Sequence, residues 1–521
     1  LPATGLKLDV DALDPERGTL SLKLPWSKRD QRIANGEGEG IPKHATSVIK
    51  VPADISKSLR ERLEEQAMAW VHEHQPIPPA ILQLLERQPL PALQELNAAI
   101  AGDPNAVADA LAGFLQEHSG ISLALQGPPG TGKTTVTGQV IAQLVASGQR
   151  VAISSNGHAA INNLLKKAKS TCSAAGVAGE VVKCNNSKEE ALSAAGISVV
   201  KPGQLTEAMA VVGGTTWMFC KEELAEQFDW LVVDEAGQMS LANLLVMARC
   251  ARSILLVGDQ QQLAQPSQAD HPGESGQSCL EYWMEGASVV PDDRGVFLST
   301  SWRMEPSLTA MVSALFYEGR LQASPANCAN RITWAKPCQG SDGQLLQGQG
   351  LVFDPVAHSG NSVCSEEEIN RIEALVDALL GGSYQHAKAG GIAAGTLTPD
   401  TILVTAPYNV QVNRLQQRLA GKARVGTVDK FQGQEAPVAI HSLTASSGDE
   451  APRGVGFLLE PNRLNVAISR AQCLSIVVGS PGLASGVANT VAEAEQINRL
   501  CEVMTRRNEE RGLTPELEKR F

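Results

Sequence analysis

The chain has 521 residues, of which 43% are hydrophobic, and it carries a formal net charge of -12 at neutral pH. This length exceeds that of one ordinary domain and the apolar content is enough for folded cores, which excludes a disordered or single-domain chain. The negative charge excludes uniform electrostatic binding to nucleic acid, although it is compatible with a local basic channel.

The first 104 residues predict two small units. Residues 1–57 alternate apolar and polar residues in short runs, such as 19–24, which predicts a small β-barrel-like module. Residues 58–104 carry apolar residues at helical spacing between prolines, which predicts a helical stalk. Because residue 1 is Leu rather than Met, we expect the chain to be a piece of a longer protein.

A phosphate-binding loop is predicted directly after a strand at 121–126. Its glycines let successive backbone N–H groups turn toward an anion, and the start of the following helix adds positive potential. Lys133 is predicted to contact the β- and γ-phosphates of a nucleotide, and Thr134 to hold Mg²⁺. The predicted nucleotide-binding residues are Gly127, Pro128, Pro129, Gly130, Thr131, Gly132, Lys133, Thr134 and Thr135.

Strands alternate with helices from residue 121 onward, which predicts parallel α/β sheets. The predicted strands lie at 121–126, 151–154, 209–212, 230–233, 254–257, 401–405, 425–428, 438–443 and 475–478. They fall into two groups, and the polar region 266–296 lies between the groups. Two tandem α/β domains are therefore predicted, and the Gly/Ala-rich segment 387–398 is predicted to be a surface loop.

Two adjacent carboxylates follow the predicted strand at 230–233. Asp234 and Glu235 lie at the edge where a parallel sheet binds its ligands. Asp234 is predicted to hold Mg²⁺, and Glu235 to polarise the water that attacks the γ-phosphate. Alone, the pair would be an ordinary solvated strand end, but together with the phosphate loop it predicts ATP hydrolysis.

The sequence Asp-Glu-Ala-Gly-Gln at 234–238 resembles motif II of the superfamily 1B helicases, the branch that contains the nonsense-mediated-decay helicase. Other stretches resemble later motifs of that family in the expected order. They are motif III at 257–266, motif IV at 298–306, motif V at 426–435 and motif VI at 462–471. The resemblance implies two tandem RecA-like domains, 105–290 and 291–521, with ATP bound between them.

The resemblance also implies roles for single residues at the nucleotide. Gln262 would sense the γ-phosphate, and Arg303 and Arg470 would reach it from the second domain. Trp302, which replaces a tyrosine common in the family, would stack on adenine, and Glu435 would meet the ribose. Taken singly, either arginine would be an ordinary surface salt-bridge residue.

Nucleic-acid contacts are implied by the same resemblance. Small hydroxyl and amide groups would hold phosphates without reading bases, and one tyrosine would stack on a base. The implied residues are Ser154, Asn156, Thr215, Thr216, Pro407, Tyr408 and Thr427. Ser155 stands where the family usually has a proline, and each of these residues could equally be an ordinary loop residue.

The function implied is an ATP- and Mg²⁺-dependent helicase or translocase on single-stranded DNA, with RNA left open and 5′→3′ polarity. The stretches 432–437 and 465–473 are most similar to the helicase half of bacterial RecB-like nuclease/helicase fusions. That similarity implies a nuclease domain before residue 1 or a nuclease partner. Two alternatives stay open: a nucleic-acid-stimulated ATPase switch or assembly factor that unwinds nothing, and a small-molecule kinase.

Location follows from composition. The ten cysteines include no C-x-x-C pair, which argues against a zinc ribbon or an iron–sulfur site and fits the reducing cytoplasm. No apolar run reaches the roughly 20 residues that span a bilayer, and no secretory signal opens the chain. We therefore expect a soluble cytoplasmic protein without a membrane partner.

Overall fold

The computed structural model describes residues 9–14, 19–23, 57–185, 189–265, 272–341, 343–388 and 390–509. The chain divides into two compact units, 1–62 and 63–521. In the first unit, strands Asp9–Asp14 and Thr19–Lys23 pair antiparallel. The rest of the predicted β-barrel-like module lies outside the described residues.

The second unit has two halves, and each is built around one parallel sheet. The sheet of the first half has eight strands. From one edge to the other, these are Gly295–Phe297, Ser122–Gln126, Ala251–Gly258, Phe228–Val233, Val151–Ser154, Val211–Gly213, Val181–Cys184 and Ser198–Val200. The strands in the middle of this sheet are almost wholly buried, which is why they are continuous apolar runs in the sequence.

All five strands predicted for this half are present, although the one predicted at 209–212 begins only at Val211. Three strands were missed: Val181–Cys184, Ser198–Val200 and Gly295–Phe297. Each has only three or four residues, too few for an apolar pattern to stand out. The last one lies after residue 290, so the first sheet extends beyond the boundary drawn from the sequence.

Ten helices are described between residues 57 and 284. They are Lys57–Val71, Pro79–Leu85, Ala92–Ile100, Val107–Glu117, Lys133–Ala146, His158–Ala174, Glu190–Ser193, Thr216–Phe219, Leu241–Ala248 and Cys279–Met284. Pro79–Leu85 buries Ile81 and Leu84 against the large sheet. The prediction of a stalk therefore fails for this helix and for Ala92–Ile100, because their apolar faces are part of the core of the first half.

A second parallel sheet has five strands, in the order Gly350–Pro355, Ala471–Gly479, Ala436–Ser442, Ile402–Thr405 and Arg424–Gly426. Four of them were predicted, and the edge strand Gly350–Pro355 was missed. The helices described here are Pro306–Phe316, Glu366–Leu379, Asn409–Arg418, Gly454–Leu458, Pro461–Ile468 and Val491–Glu509.

Smaller sheets complete this half. Thr300–Ser301 pairs in parallel with Gln322–Ala323. Ser383–Lys388 pairs antiparallel with both Arg331–Thr333 and Gly391–Thr396. The prediction of a surface loop at 387–398 was therefore wrong, because small residues there form a hairpin strand.

Both parallel sheets belong to the second unit, and one hydrophobic cluster contains residues of each, such as Leu256 from the larger sheet and Val477 from the smaller. The predicted fold class, two tandem RecA-like parallel α/β sheets, is confirmed. Within the described part of the chain, no helix is long and apolar enough to cross a membrane.

Candidate nucleotide and nucleic-acid site

The phosphate loop joins strand Ser122–Gln126 to helix Lys133–Ala146. Gly130 and Gly132 have φ angles of 76° and 79°, in the left-handed region that favours glycine. The Gly127 N–H donates to the Gly258 carbonyl at 2.9 Å. The Thr131 hydroxyl donates to the Pro128 carbonyl at 2.8 Å. Hydrogen bonds within the loop and to the neighbouring strand therefore hold its shape.

Lys133 and the two predicted carboxylates lie together. The Lys133 Nζ is 3.5 Å from Glu235 Oε1. Burial alone would lower the pKa of Lys133, but attraction to Glu235, Asp234 and Asp259 outweighs burial and raises its pKa. The ammonium group is thus held charged, as contact with a polyphosphate requires.

Asp234 is buried at the end of strand Phe228–Val233. Burial raises its pKa to about 6 against the attraction of Lys133, and Glu235 adds to the rise. A divalent cation would favour the charged carboxylate, and carboxylate and hydroxyl oxygens are ligands that Mg²⁺ prefers. Asp234 and the half-buried Thr134 therefore fit as ligands of a magnesium ion. Because the described residues contain no cluster of three metal-binding side chains, such an ion would take its other ligands from phosphate and water.

Arg303 lies against the phosphate loop from the side of the second half. A Cβ added to Gly130 would overlap the Cβ of Arg303, and the Trp302 N–H donates to the Gly130 carbonyl at 2.8 Å. The Arg303 Nε donates to Glu435 Oε2 at 2.6 Å, and its Nη1 to the Ser469 carbonyl at 3.1 Å. The predicted γ-phosphate ligand and the predicted ribose ligand are thus paired with each other.

Glu435 receives a second hydrogen bond, from Gln472 Nε2 at 3.0 Å. Burial would raise the pKa of Glu435, but the Arg303 guanidinium outweighs it and lowers the pKa below the usual range. About half of the Glu435 side chain remains exposed, at 46%. The carboxylate is therefore charged and open to solvent on one side.

Arg470 is buried beside this pair. Its Nε donates to the Val466 carbonyl at 3.0 Å and its Nη1 to the Gln434 carbonyl at 3.2 Å. Burial first, and then repulsion from Arg303, lower its pKa to about 9, while Glu235 attracts it. Arg470 of the second half therefore lies within the electrostatic influence of Glu235 of the first half.

Trp302 borders a cavity of about 610 Å³ next to the phosphate loop. Thr131 and Val136 line the cavity from the loop and its helix, and Gln94 and Asn97 line it from helix Ala92–Ile100. The indole is 44% exposed. A flat, half-exposed ring beside a cavity of this size can cover one face of a nucleotide base.

Gln262 lies on the loop after strand Ala251–Gly258. Its Nε2 donates to Asp259 Oδ2 at 2.8 Å. Asp259 also accepts from the buried Tyr317 hydroxyl at 2.7 Å, and Tyr317 in turn accepts from Asn465 Nδ2 at 2.8 Å.

Asp259, Tyr317 and Asn465 were missed as site residues. Asp259 was detectable, because it follows a predicted strand at the same sheet edge as Asp234. The other two carry no local signal, since their contacts join segments far apart in sequence.

The predicted nucleic-acid contacts differ in exposure. Asn156 is exposed, whereas Thr215, Pro407 and Thr427 are half-buried, which leaves all four accessible. Ser154 is buried at the end of its strand, and among the described residues its hydroxyl has no hydrogen-bond partner. These five residues remain candidates.

Two of the predicted contacts need correction. The Thr216 hydroxyl is buried and faces the sulfur atoms of Met239 and Met247, at 3.9 and 3.6 Å. The Tyr408 ring is 9% exposed and packs on Phe457 with ring centroids 5.5 Å apart. Both side chains belong to the core, because neighbouring apolar side chains cover them. Neither is therefore available to a nucleic-acid strand in this conformation.

Comparison with known proteins identifies relatives. Two family profiles, each described as an AAA domain, match residues 108–271 and 276–482. The chain is 28% identical over 411 residues to the Regulator of nonsense transcripts 1 homolog of Drosophila melanogaster, covering 68% of this chain and 33% of that protein. It is 29% identical over 386 residues to the DNA replication ATP-dependent helicase/nuclease DNA2 of Homo sapiens, covering 68% of this chain and 35% of that protein.

The chain is homologous to superfamily 1 helicases. It spans about a third of the length of these two relatives. Among solved structures, that of the helicase nonstructural protein 10 of an arterivirus in complex with DNA aligns with a TM-score of 0.38 at 15% identity, covering 69% of this chain and 60% of that chain.

Proposed function

We propose that this chain hydrolyses ATP with Mg²⁺ and uses the energy to move along single-stranded DNA in the 5′→3′ direction, separating strands as it goes. One observation supports the proposal most: Lys133 lies 3.5 Å from Glu235 in the first half, while Arg303 of the second half packs on the phosphate loop at Gly130 and the buried Arg470 is attracted to Glu235. Homology to superfamily 1 helicases supports it.

In this proposal each residue has one task. Lys133 binds the β- and γ-phosphates, and Glu235 orients the attacking water and takes its proton. Gln262 senses the γ-phosphate, and Arg470 stabilises the charge that develops on it. Thr134 and Asp234 hold Mg²⁺, which neutralises phosphate charge when bound. Because the arginines come from the second half, ATP hydrolysis depends on how the two halves are positioned. A change in their relative position during each hydrolysis cycle then moves the protein along the strand.

The ion pair between Arg303 and Glu435 opens when ATP binds. Arg303 then turns to the γ-phosphate, and Glu435 becomes free to accept hydrogen bonds from the ribose, while Trp302 covers the base. The 46% exposure of the Glu435 side chain supports this exchange, because a half-exposed carboxylate is accessible to a ligand. Such an exchange of partners would couple the binding of ATP to changes in both halves at the same time.

The single-stranded nucleic acid lies across the sheet edges of both halves, near Ser154, Asn156, Thr215, Pro407 and Thr427.

All ten cysteines are free thiols, which supports a reducing cytoplasmic location. We also propose a nuclease partner or an N-terminal nuclease domain, since a relative is named a helicase/nuclease. Nuclease activity on labelled DNA, measured with the native protein purified from its own cells, tests that part separately.

The decisive test measures ATP hydrolysis by the full chain with single-stranded DNA, single-stranded RNA and duplexes with 5′ or 3′ tails. We expect strong stimulation by single-stranded DNA and strand displacement on 5′-tailed duplexes only. Stimulation by neither nucleic acid would overturn the proposal. Stimulation without displacement would instead favour an ATPase switch, and displacement from 3′ tails would reverse the polarity.

A further inference from the structure

The Tyr317 hydroxyl occupies a buried position between the two halves of the site. Tyr317 is 0% exposed and follows helix Pro306–Phe316, which itself begins just after Arg303. Its oxygen donates to Asp259 Oδ2 at 2.7 Å and accepts from Asn465 Nδ2 at 2.8 Å. A hydroxyl group can donate one hydrogen bond and accept another at the same time, so Tyr317 makes both bonds with one atom.

The Asp259 carboxylate connects Tyr317 to the first half. Its Oδ2 accepts from Gln262 Nε2 at 2.8 Å as well as from Tyr317, and its Oδ1 accepts from the Gln261 N–H at 3.2 Å. Lys133 attracts the same carboxylate. How strongly Asp259 holds Gln262 therefore depends on the hydrogen bond that Tyr317 gives it.

Asn465 connects Tyr317 to the second half. It lies on helix Pro461–Ile468, which leads directly to Arg470, and its Nδ2 also donates to the Gln261 carbonyl at 2.7 Å. On the same helix, Asn462 Nδ2 donates to the Gln260 carbonyl at 2.9 Å. The helix that leads to Arg470 (the Arg470 helix) is thus tied to the loop that carries Gln262.

We propose that Tyr317 is a positioning residue that couples the Gln262 loop to the Arg470 helix, so that both reach the γ-phosphate in one arrangement. This inference rests on the proposed function. Tyr317 touches neither nucleotide nor strand; it acts through Asp259 and Asn465. Its loss therefore slows hydrolysis while ATP still binds.

Tyr317→Phe in the full chain tests this coupling, with Tyr282→Phe as the matched control. The Tyr282 hydroxyl donates to the Leu85 carbonyl at 2.8 Å and has no contact with Asp259 or Asn465. We expect Tyr317→Phe to lower the kcat of strand-stimulated ATP hydrolysis about tenfold, as loss of one hydrogen bond to a charged group would. The KM for ATP should stay close to that of Tyr282→Phe, and thermal melting should show that both variants are folded.

A double-mutant cycle with Asn465→Ala adds a readout that a merely structural role would not move. We expect the double variant to lose less kcat than the product of the two single losses, because both changes break the same hydrogen bond. Losses that multiply, or a Tyr317→Phe variant as active as Tyr282→Phe, would overturn the coupling while the proposed function stands. A wild-type chain without stimulated ATP hydrolysis would overturn both.

Discussion

The backbone of Glu235 adopts an uncommon conformation. Its φ of 54° lies in the left-handed region, which costs a non-glycine residue about 1 to 2 kcal/mol. The Glu235 N–H donates to Asp234 Oδ1 at 3.0 Å, and the carboxylate lies 3.5 Å from Lys133. Backbone strain of this kind concentrates at functional sites, which agrees with a catalytic task for Glu235.

Glu235→Gln keeps the shape of the side chain and removes its ability to accept a proton. We expect ATP binding to remain within a few-fold of wild type and turnover to fall at least about 100-fold. Fluorescent-nucleotide titration and steady-state ATP hydrolysis measure the two effects. Glu222→Gln, which breaks an exposed ion pair with Arg249, is the control; a fully active Glu235→Gln variant would exclude Glu235 as the base.

His441 is a buried residue of strand Ala436–Ser442, and it hydrogen-bonds the Thr405 hydroxyl at 2.9 Å. Burial lowers its pKa from 6.5 to about 4. Between these values the unfolded chain binds a proton that the folded chain does not bind. Stability from His441 is therefore complete above about pH 6.5 and is lost as the pH falls toward 4.

His441→Gln removes this titration and retains a hydrogen-bonding side chain. From pH 7 to pH 5, we expect wild type to lose about 2 kcal/mol more unfolding free energy than the variant. Urea denaturation at both pH values measures the difference. Equal losses in the two proteins would show that His441 is not held neutral in the fold.

At the scale of elements, the phosphate loop and the segment around Ser301 and Arg303 form one packed unit. The Ser301 hydroxyl donates to the Pro129 carbonyl at 3.2 Å, and Trp302 bonds Gly130. A Cβ at Gly130 would overlap Arg303 and lie 2.9 Å from the Ser301 oxygen. The glycine therefore serves both loop conformation and the approach of the second segment.

Gly130→Ala tests that approach, and Gly148→Ala is its control. Both glycines have positive φ angles, 76° and 84°, but nothing lies within 4 Å of a Cβ at Gly148. Each variant should lose about 1 to 2 kcal/mol of stability through backbone strain. Only Gly130→Ala should also weaken ATP binding, by at least about tenfold; equal ATP affinities in the two variants would contradict the packing argument.

At the scale of the whole molecule, the proposed nucleotide site takes residues from both halves. Glu235 and Arg470 attract one another, although Glu235 follows a strand of the larger parallel sheet and Arg470 precedes a strand of the smaller. The Arg470 guanidinium also donates to two backbone carbonyls, which a lysine cannot reproduce. These two bonds fix the position of its charge within the second half.

Arg470→Lys keeps the charge and loses this geometry. We expect kcat for ATP hydrolysis to fall at least about 100-fold with ATP affinity within about twofold of wild type, as for other arginines that stabilise a transferring phosphoryl group. Arg463→Lys, which alters an ion pair with Glu460 on the same helix, should keep most activity. Comparable rates for the two variants would remove Arg470 from the site.

Much of the fold could be predicted because local composition controls local structure. The glycine spacing of 127–134 allows one kind of loop, and long apolar strands such as Phe228–Val233 and Ala251–Gly258 stand out from their flanks. Short strands such as Ser198–Val200 do not, and the helices after residue 78 resembled a stalk because an apolar helical face does not show what it packs against.

For the site, the sequence predicted Lys133, Asp234 and Glu235 beside one sheet edge, and the family resemblance added Arg303 and Arg470. Packing established their partners. It buried Tyr408 and Thr216, paired Arg303 with Glu435, and brought Tyr317 between Asp259 and Asn465. The physical reason is separation along the chain: backbone conformation and charge depend on neighbouring residues, whereas these contacts join separate segments and form only when the chain packs into its core.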